Sequence, residues 1–255
     1  MAGCDKTLTG AEAGGGCANI HKNRRQFLMK FPDILYEDET CLALNKPAGL
    51  AVQGGKGVGI SVDLLLKRRY TEAQAQPRLV HRLDKDTSGV LLTAKGAKNA
   101  AWYAGKIASR EACKNYIAVC AASGRGNASN FDASGIINIP VEVHGNQKCA
   151  RTRYILLGTG IANAPPPLPY AVFELELETG RLHQIRRHLQ KINRPILGDD
   201  KYGDFALNKS LRKTFNLRRL LLHARSLNIP RPDGGALEIS APLPPEFTFW
   251  IEGMS

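Results

Sequence analysis

The sequence predicts an α+β fold: a mostly antiparallel, mixed central sheet with helices packed on its flanks. Three observations carry this. Val172–Glu178 alternates strictly, with Phe173, Leu175 and Leu177 on one face and Glu174, Glu176 and Glu178 on the other. That is the period of a half-buried strand in an antiparallel sheet. Short apolar runs such as Val90–Thr93 are bounded by turn-forming residues. There is no internal repeat and no regular βαβ alternation, so the order of elements fits α+β.

Taken in order, Ile34–Tyr36 and Cys41–Asn45 predict two strands around the turn Glu37–Thr40, and Pro47 and Gly49 then end the pattern. Gly54–Gly59 reads as a loop. Ser61 is placed to cap a helix running to about Tyr70, with Asp63 near its positive end. Val90–Thr93 predicts a buried strand, Ala97–Arg110 a helix, Tyr116–Cys120 a strand and Gly124–Asn130 a surface loop. After the Val172–Glu178 strand, Leu182–Ile192 predicts a helix. Leu220–His223, Ser226–Ile229 and Leu237–Ser240 predict three closing strands. The Gly- and Ala-rich residues 1–32 show no periodicity and read as a tail, leaving residues 33–255 as one domain.

The chain has 255 residues and a formal net charge of +12. Such a balance favours polyanionic partners, nucleic acid before anionic membrane. No run of about 18 apolar residues and no secretory leader is found, which argues against a membrane protein. The six cysteines form no C-x-x-C pair, so they predict reduced thiols in a cytosol-like compartment.

The segment Pro77-Arg-Leu-Val-His81-Arg82-Leu83-Asp84-Lys85-Asp86-Thr87-Ser88-Gly89-Val90 packs polar groups between apolar runs, where a strand must end and its loop turn. Three readings compete. Asp84, Asp86, Ser88 and Gly89 match the first half of a calcium loop, but Lys95 stands where the bidentate Glu belongs. Asp84 or Asp86 closes an Asx-turn in the structural reading. In the catalytic reading a carboxylate is held on a rigid sheet, with Arg82 nearby to favour its ionised form. Local sequence does not decide between the last two.

The stretch Arg-Leu-Val-His-Arg-Leu-Asp-Lys-Asp-Thr-Ser-Gly-Val-Leu-Leu resembles the signature of the RluA-type pseudouridine synthase family. So do Ile34-Leu-Tyr-Glu-Asp with Leu44-Asn-Lys46-Pro47-Ala-Gly49, and Lys114-Asn-Tyr116-Ile-Ala-Val. The same holds for Thr179-Gly180-Arg181-Leu-His183-Gln184-Ile-Arg186, for Pro195-Ile-Leu-Gly198-Asp199-Asp-Lys-Tyr202-Gly203, and for Leu220-Leu-Leu-His223-Ala224. Together these cover about residues 33–245 in the family's order. The resemblance implies a pseudouridine synthase catalytic fold and an isomerase acting on structured RNA. It makes Asp84 the catalytic residue, Tyr116 the ring on which the target base stacks, and Arg186 the ion partner of Asp84. Stacking suits RNA because every base has a π-face. An opposite charge keeps a carboxylate ionised and oriented. Some relatives carry a small RNA-binding domain ahead of the catalytic one, which is expected to be absent here. Arg187 stands where many relatives have an apolar residue.

From Arg181 to Arg225 twelve Lys or Arg face only Asp199, Asp200 and Asp204. Such an excess would neutralise phosphates and make affinity salt-dependent. The expected RNA contacts are Lys46, His81, Arg82, Arg181, Gln184, Arg187, Arg212 and Lys213. His183 and His188 are five apart, not at the i, i+4 spacing of a helical ligand pair, so no metal is expected. Gly54–Gly59 fits neither nucleotide-binding glycine template, so no cofactor is expected. Leu50-Ala-Val-Gln-Gly-Gly and the Asp84 context resemble members acting on large-subunit ribosomal RNA, whereas Arg186-Arg187-His188-Leu189 is closer to members acting on transfer RNA. The protein is expected to be a cytoplasmic monomer, or mitochondrial in a eukaryote. A non-catalytic RNA-binding or ribosome-assembly protein on the same fold is the rival reading.

Overall fold

A computed structural model describes residues 30–55, 57–72, 76–122, 132–143 and 145–254. The expected loop 124–130 lies outside them, as does all of the expected tail but residues 30–32. Pro32–Ser255 makes one unit by its contacts.

The strands are β1 (Asp33–Glu37), β2 (Cys41–Lys46), β3 (Pro77–Leu79), β4 (Ser88–Lys95), β5 (Cys113–Ala121), β6 (Ser134–Ile137), β7 (Val141–Val143), β8 (Asn146–Lys148), β9 (Thr152–Ala162), β10 (Leu168–Leu177), β11 (Leu222–Pro230) and β12 (Ala236–Ser240). The helices are α1 (Val62–Arg69), α2 (Gly96–Ala108), α3 (Gln184–Lys191), α4 (Phe205–Thr214) and α5 (Thr248–Glu252). Ten strands form one sheet in the order β1-β2-β4-β11-β5-β10-β9-β6, with β3 added to β4 and β12 to β11; β7 and β8 pair apart. Every pairing is antiparallel except β4 with β11. The fold is therefore α+β with a mixed, mostly antiparallel sheet, as the alternation of β10 predicts.

Local chemistry sets the early elements. Asp38 accepts the backbone amides of Thr40 and Cys41 at 2.7 and 2.8 Å, closing the β1–β2 turn. The Ser61 hydroxyl accepts the Leu64 amide at 3.3 Å, capping α1 as its residue type requires. The α2 helix lays Tyr103 on a core of Cys41, Ala43, Val90, Leu92, Leu227 and Ile239. At the far end of the sheet Tyr170 meets Trp250 of α5 edge-on, with ring centroids 5.0 Å apart.

Three expectations change. Leu220–His223 and Ser226–Ile229 are not two strands: from Leu222 they form the single strand β11, with a register irregularity against β5 between Ala224 and Ser226. Its outer edge pairs first with β4 at His223 and Ala224, then with β12 from Ser226. The helix expected from Leu182 starts at Gln184, because His183 adopts a left-handed φ of 53°. Strand β9 and helix α4 were not expected at all. Among the described residues no helix is long and apolar enough to cross a membrane.

Candidate active site

Asp84 sits in the turn between β3 and β4, and every neighbour of that turn fixes it. The Thr87 amide donates to the Asp84 carbonyl at 3.2 Å, and the Gly49 amide donates to the Lys85 carbonyl at 2.9 Å. Lys46, the last residue of β2, is fully buried. Its ammonium donates to the carbonyls of Pro47, Leu50 and Lys85 at 2.9, 2.8 and 2.9 Å. All three of its N–H groups are thereby used. Burial lowers its pKa to about 7, against the opposing charges of Asp86 and Asp84. Lys46 thus clamps the turn from below, and the expectation that it contacts RNA is corrected: nothing can reach it.

Beyond Asp84 the chain enters β4 beside β11, where Ser88 pairs with His223 and Gly89 with Ala224. Gly89 has φ +111°, and a Cβ there would run into the Ala224 backbone. Only glycine permits so close an approach at that φ. The Ser88 hydroxyl lies 2.8 Å from His223 Nδ1 and accepts Arg219 Nη2 at 2.5 Å. Burial holds the His223 pKa down to about 4, so its ring is neutral near pH 7.

The facing wall is α3. Arg186, 6% exposed, reaches Asp84 Oδ2 with Nη1 at 3.4 Å. Its other edge is held more tightly: Nε and Nη2 each donate to the Asp199 carboxylate at 2.8 Å. Burial opposes the guanidinium charge, but the hydrogen bonds from Asp199 and the charges of both carboxylates outweigh it and raise the Arg186 pKa. His183 Nε2 lies 3.8 Å from Asp84 Oδ1, and its Nδ1 lies 3.0 Å from the Tyr202 hydroxyl. Burial lowers the His183 pKa in spite of Asp84, with Arg186 and Lys201 acting in the same direction as burial. Tyr116, on β5, is 6% exposed; burial and then the charge of Asp84 push its phenol up.

His183 and Arg186 line a cleft of about 490 Å³, together with Lys85, Lys201, Arg218 and Arg219 and the carboxylates of Asp86, Asp199 and Asp200. The arrangement is a carboxylate, Asp84, held by Arg186 beside a cleft where cations outnumber anions, with Tyr116 near enough to feel its charge. It suits attack or proton abstraction by Asp84 on a polyanionic substrate.

The structure brings Asp84 and Arg186 together across 102 residues of sequence separation, with Tyr116 near enough to feel the charge of Asp84. His81 is half-buried; its Nε2 accepts the Leu92 amide at 2.9 Å, and burial drives its pKa down to about 3, so the ring is neutral. One more expected RNA contact is corrected with Lys46. Gln184 is 2% exposed and bonds Thr179, the Arg181 amide, the Arg151 carbonyl and Thr152. Arg82, Arg181, Arg212 and Lys213 are exposed. Arg181 also touches the Cys149 carbonyl at 3.3 Å, Arg187 donates to the Glu142 carbonyl at 2.5 Å, and Arg212 is paired with Asp200.

The basic stretch is therefore less of a free surface than its count suggests. Arg186, Arg194, Arg219 and Arg225 hold the fold itself, through Asp199, the Ala122 carbonyl, Ser88 and the Ala241 carbonyl. The cation expected beside Asp84 from its own loop, Arg82, is exposed, and the guanidinium that meets the carboxylate comes from α3. Sequence reasoning missed Asp199, Arg219 and the placement of His183. The available signal was an aspartate directly after the apolar Pro195-Ile-Leu-Gly198, where a surface charge is out of place.

Among the described residues no group of three or more His, Cys, Asp or Glu is placed to hold a metal ion.

A family model described as RNA pseudouridylate synthase matches residues 40–191. Ribosomal large subunit pseudouridine synthase C of Pasteurella multocida (strain Pm70) is 35% identical over 221 residues, 84% of this chain and 65% of that protein. The protein of the same name from Escherichia coli (strain K12) is 34% identical over 223 residues, 82% of this chain and 66% of its own length. The chain thus spans about two thirds of the length of these relatives, 65% in the first case. The solved structure of human RNA pseudouridylate synthase domain containing 4 superposes with a TM-score of 0.65 at 26% identity, covering 90% of this chain and 95% of that one.

Proposed function

The chain belongs to the RNA pseudouridylate synthase family, and on that premise we propose that it isomerises uridine to pseudouridine in large-subunit ribosomal RNA. The reaction breaks the bond between uracil N1 and ribose C1′, turns the base, and rejoins it through C5, which gives up its proton while N1 ends carrying one. Asp84 acts on the ribose or the base to start it. Arg186 aims the carboxylate through its Nη1 contact, and the Tyr116 ring receives the base. The target uridine leaves its stack to enter the cleft, at least cost from an unpaired loop. Lys85, Lys201 and Arg218 border the cleft and meet the RNA backbone beside it. The protein works as a monomer in the cytoplasm, without a metal or nucleotide cofactor.

The observation that carries this reading is the Asp84–Arg186 contact at 3.4 Å, with Arg186 lining the cleft and the Asp84 charge acting on Tyr116. A non-catalytic RNA-binding protein has no use for a carboxylate facing its own polyanionic ligand, since the charge repels phosphate. Mapping pseudouridine in total RNA from cells with and without the protein tests the proposal. Loss of one or a few large-subunit sites on deletion is expected. Loss confined to transfer RNA would move the substrate, and an unchanged map would overturn the reading.

A further inference from the structure

Asp199 is a buried carboxylate, 1% exposed, to which neither the sequence nor the reaction above gives a part. It is built in from several directions. Its Oδ1 accepts the amides of Lys201 and Tyr202 at 2.9 Å each, besides Arg186 Nη2. Its carbonyl accepts the Gly203 amide at 3.0 Å and the Asn208 side-chain amide at 2.9 Å. Asn208 in turn accepts the Gly198 amide at 2.9 Å. Gly198 has φ +75°, and a Cβ there would strike the Arg219 carbonyl. The carboxylate is anchored independently of Arg186, and Arg186 docks onto it.

A guanidinium offers five N–H donors in a fixed planar fork. Asp199 takes the Nε/Nη2 edge with two bonds of 2.8 Å. Asp84 is left with Nη1 at 3.4 Å, well beyond the roughly 2.7–2.9 Å of a charge-assisted bond. We infer that Asp199 is a positioning residue: it seats Arg186 and takes up most of its charge, so that Asp84 is oriented by one N–H and keeps an oxygen free to react. A guanidinium clamped bidentately on Asp84 would occupy both oxygens and stabilise the resting carboxylate more than the transition state. The inference rests on Asp84 as the reacting group.

The simpler alternative is that Asp199 only closes the Asp199–Tyr202 turn. An asparagine would do that as well, because its Oδ1 can accept the same two amides, while its NH₂ would face Arg186 with a donor. Asp199→Asn therefore separates the two roles. The charged and titratable groups facing Asp84 are Arg186 from α3, the adjoining His183, Lys46 from β2 and Tyr116 from β5. Those facing Asp199 are Arg186 and His183.

The test uses the full chain, as wild type, Asp199→Asn, Arg186→Gln and the double variant. The seating of Arg186 is followed in the free protein by the NMR signal of its Nε–Hε group, assigned with Arg186→Gln. In Asp199→Asn that hydrogen should lose its carboxylate acceptor and exchange faster with water than in wild type. The single-turnover rate on bound RNA should fall about tenfold or more, with RNA affinity within about threefold of wild type. The double variant should be no slower than Arg186→Gln alone, as expected when one residue acts through the other. An unchanged Nε–Hε signal, or losses that multiply in the double variant, would reduce Asp199 to a turn-former. Should Asp199→Asn prove too unstable to purify, Asp199→Glu keeps the charge but displaces the seat and should lose rate by a similar factor; a wild-type rate there overturns the inference. Because the NMR measurement needs no RNA, it still tests the seating if the wild-type protein forms no pseudouridine, a result that would count against the proposed function instead.

Discussion

Arg186 meets Asp84 with a single N–H, its Nη1 lying 3.4 Å from Asp84 Oδ2. The contact joins α3 to the β3–β4 turn and gives each residue a distinct experimental signature.

Replacing Asp84 by Asn should abolish pseudouridine formation while leaving the fold and RNA affinity nearly intact. An amide of the same shape cannot act as nucleophile or base, yet it can still accept from Arg186. Purified Asp84→Asn forming pseudouridine at a rate within about tenfold of wild type would remove Asp84 from the chemistry.

Arg186→Lys and Arg186→Ala should both lose rate on bound RNA far more than affinity. A lysine ammonium cannot hold Asp199 bidentately and reach Asp84 at once. Arg212→Ala is the control: Arg212 is exposed and paired with Asp200, so its loss should leave the chemical step alone and weaken binding only slightly. Single-turnover kinetics at saturating protein distinguish the two patterns, and a wild-type rate for Arg186→Lys would make Arg186 a phosphate contact.

Salt should weaken RNA binding steeply, each neutralised phosphate adding about 0.7–0.9 to the slope of log affinity against log salt. Lys201 and Arg218 border the cleft, so Lys201→Ala with Arg218→Ala should flatten that slope by about 1.5. A slope unchanged by the pair would mean that RNA approaches by another face.

Acid should destabilise the protein well above the carboxylate range. Burial holds His81 and His223 at folded pKa values of about 3 and about 4, against 6.5 as the ordinary value. Between about pH 6.5 and 4 the unfolded chain binds these protons and the folded chain does not. Their contribution is therefore complete above pH 6.5 and is lost as pH falls through that window, by at most about 1.4 kcal/mol per pH unit for each histidine. Urea unfolding of wild type and His223→Gln at several pH values checks this; the variant should show the shallower dependence.

Gly89→Ala should cost about 3 kcal/mol and most of the activity, since it forces a Cβ into the Ala224 backbone at a φ of +111°. Thermal unfolding reads the first and single-turnover rate the second. A near-wild-type melting temperature would show that β4 and β11 can separate there without loss.

Much of the fold was legible in one dimension. The alternation of β10, the Ser61 cap and the apolar run of β4 are local patterns, and local patterns report which face of an element is buried. The Asp84, Tyr116 and Arg186 positions were legible through motif resemblance. Strand β9 was not, because its exposed Ile155, Leu157 and Ile161 and its glycines at 158 and 160 break the alternation. Those glycines answer to packing from elsewhere: a Cβ at Gly160 would meet Tyr170 and Gly253, and one at Gly158 would meet Met254. The two strands read into β11 merge for a related reason. Arg225 and the register shift interrupt the pattern while the backbone continues and changes neighbours from β4 to β12.

The sequence by itself determined the class of sheet and the turn that carries Asp84. Only the tertiary structure decided what each charge does. Lys46 and Gln184 have the chemistry of RNA contacts, but burial and saturated hydrogen bonds make them struts. Asp199, one of two adjacent aspartates in the chain, is the one turned inward to hold Arg186, while Asp200 stays exposed and pairs with Arg212. A side chain's role depends on what shares its desolvated space, and deciding neighbours such as Lys85 for Lys46, Arg151 for Gln184 and Asp84 for Arg186 lie 39, 33 and 102 residues away, beyond the reach of any local pattern.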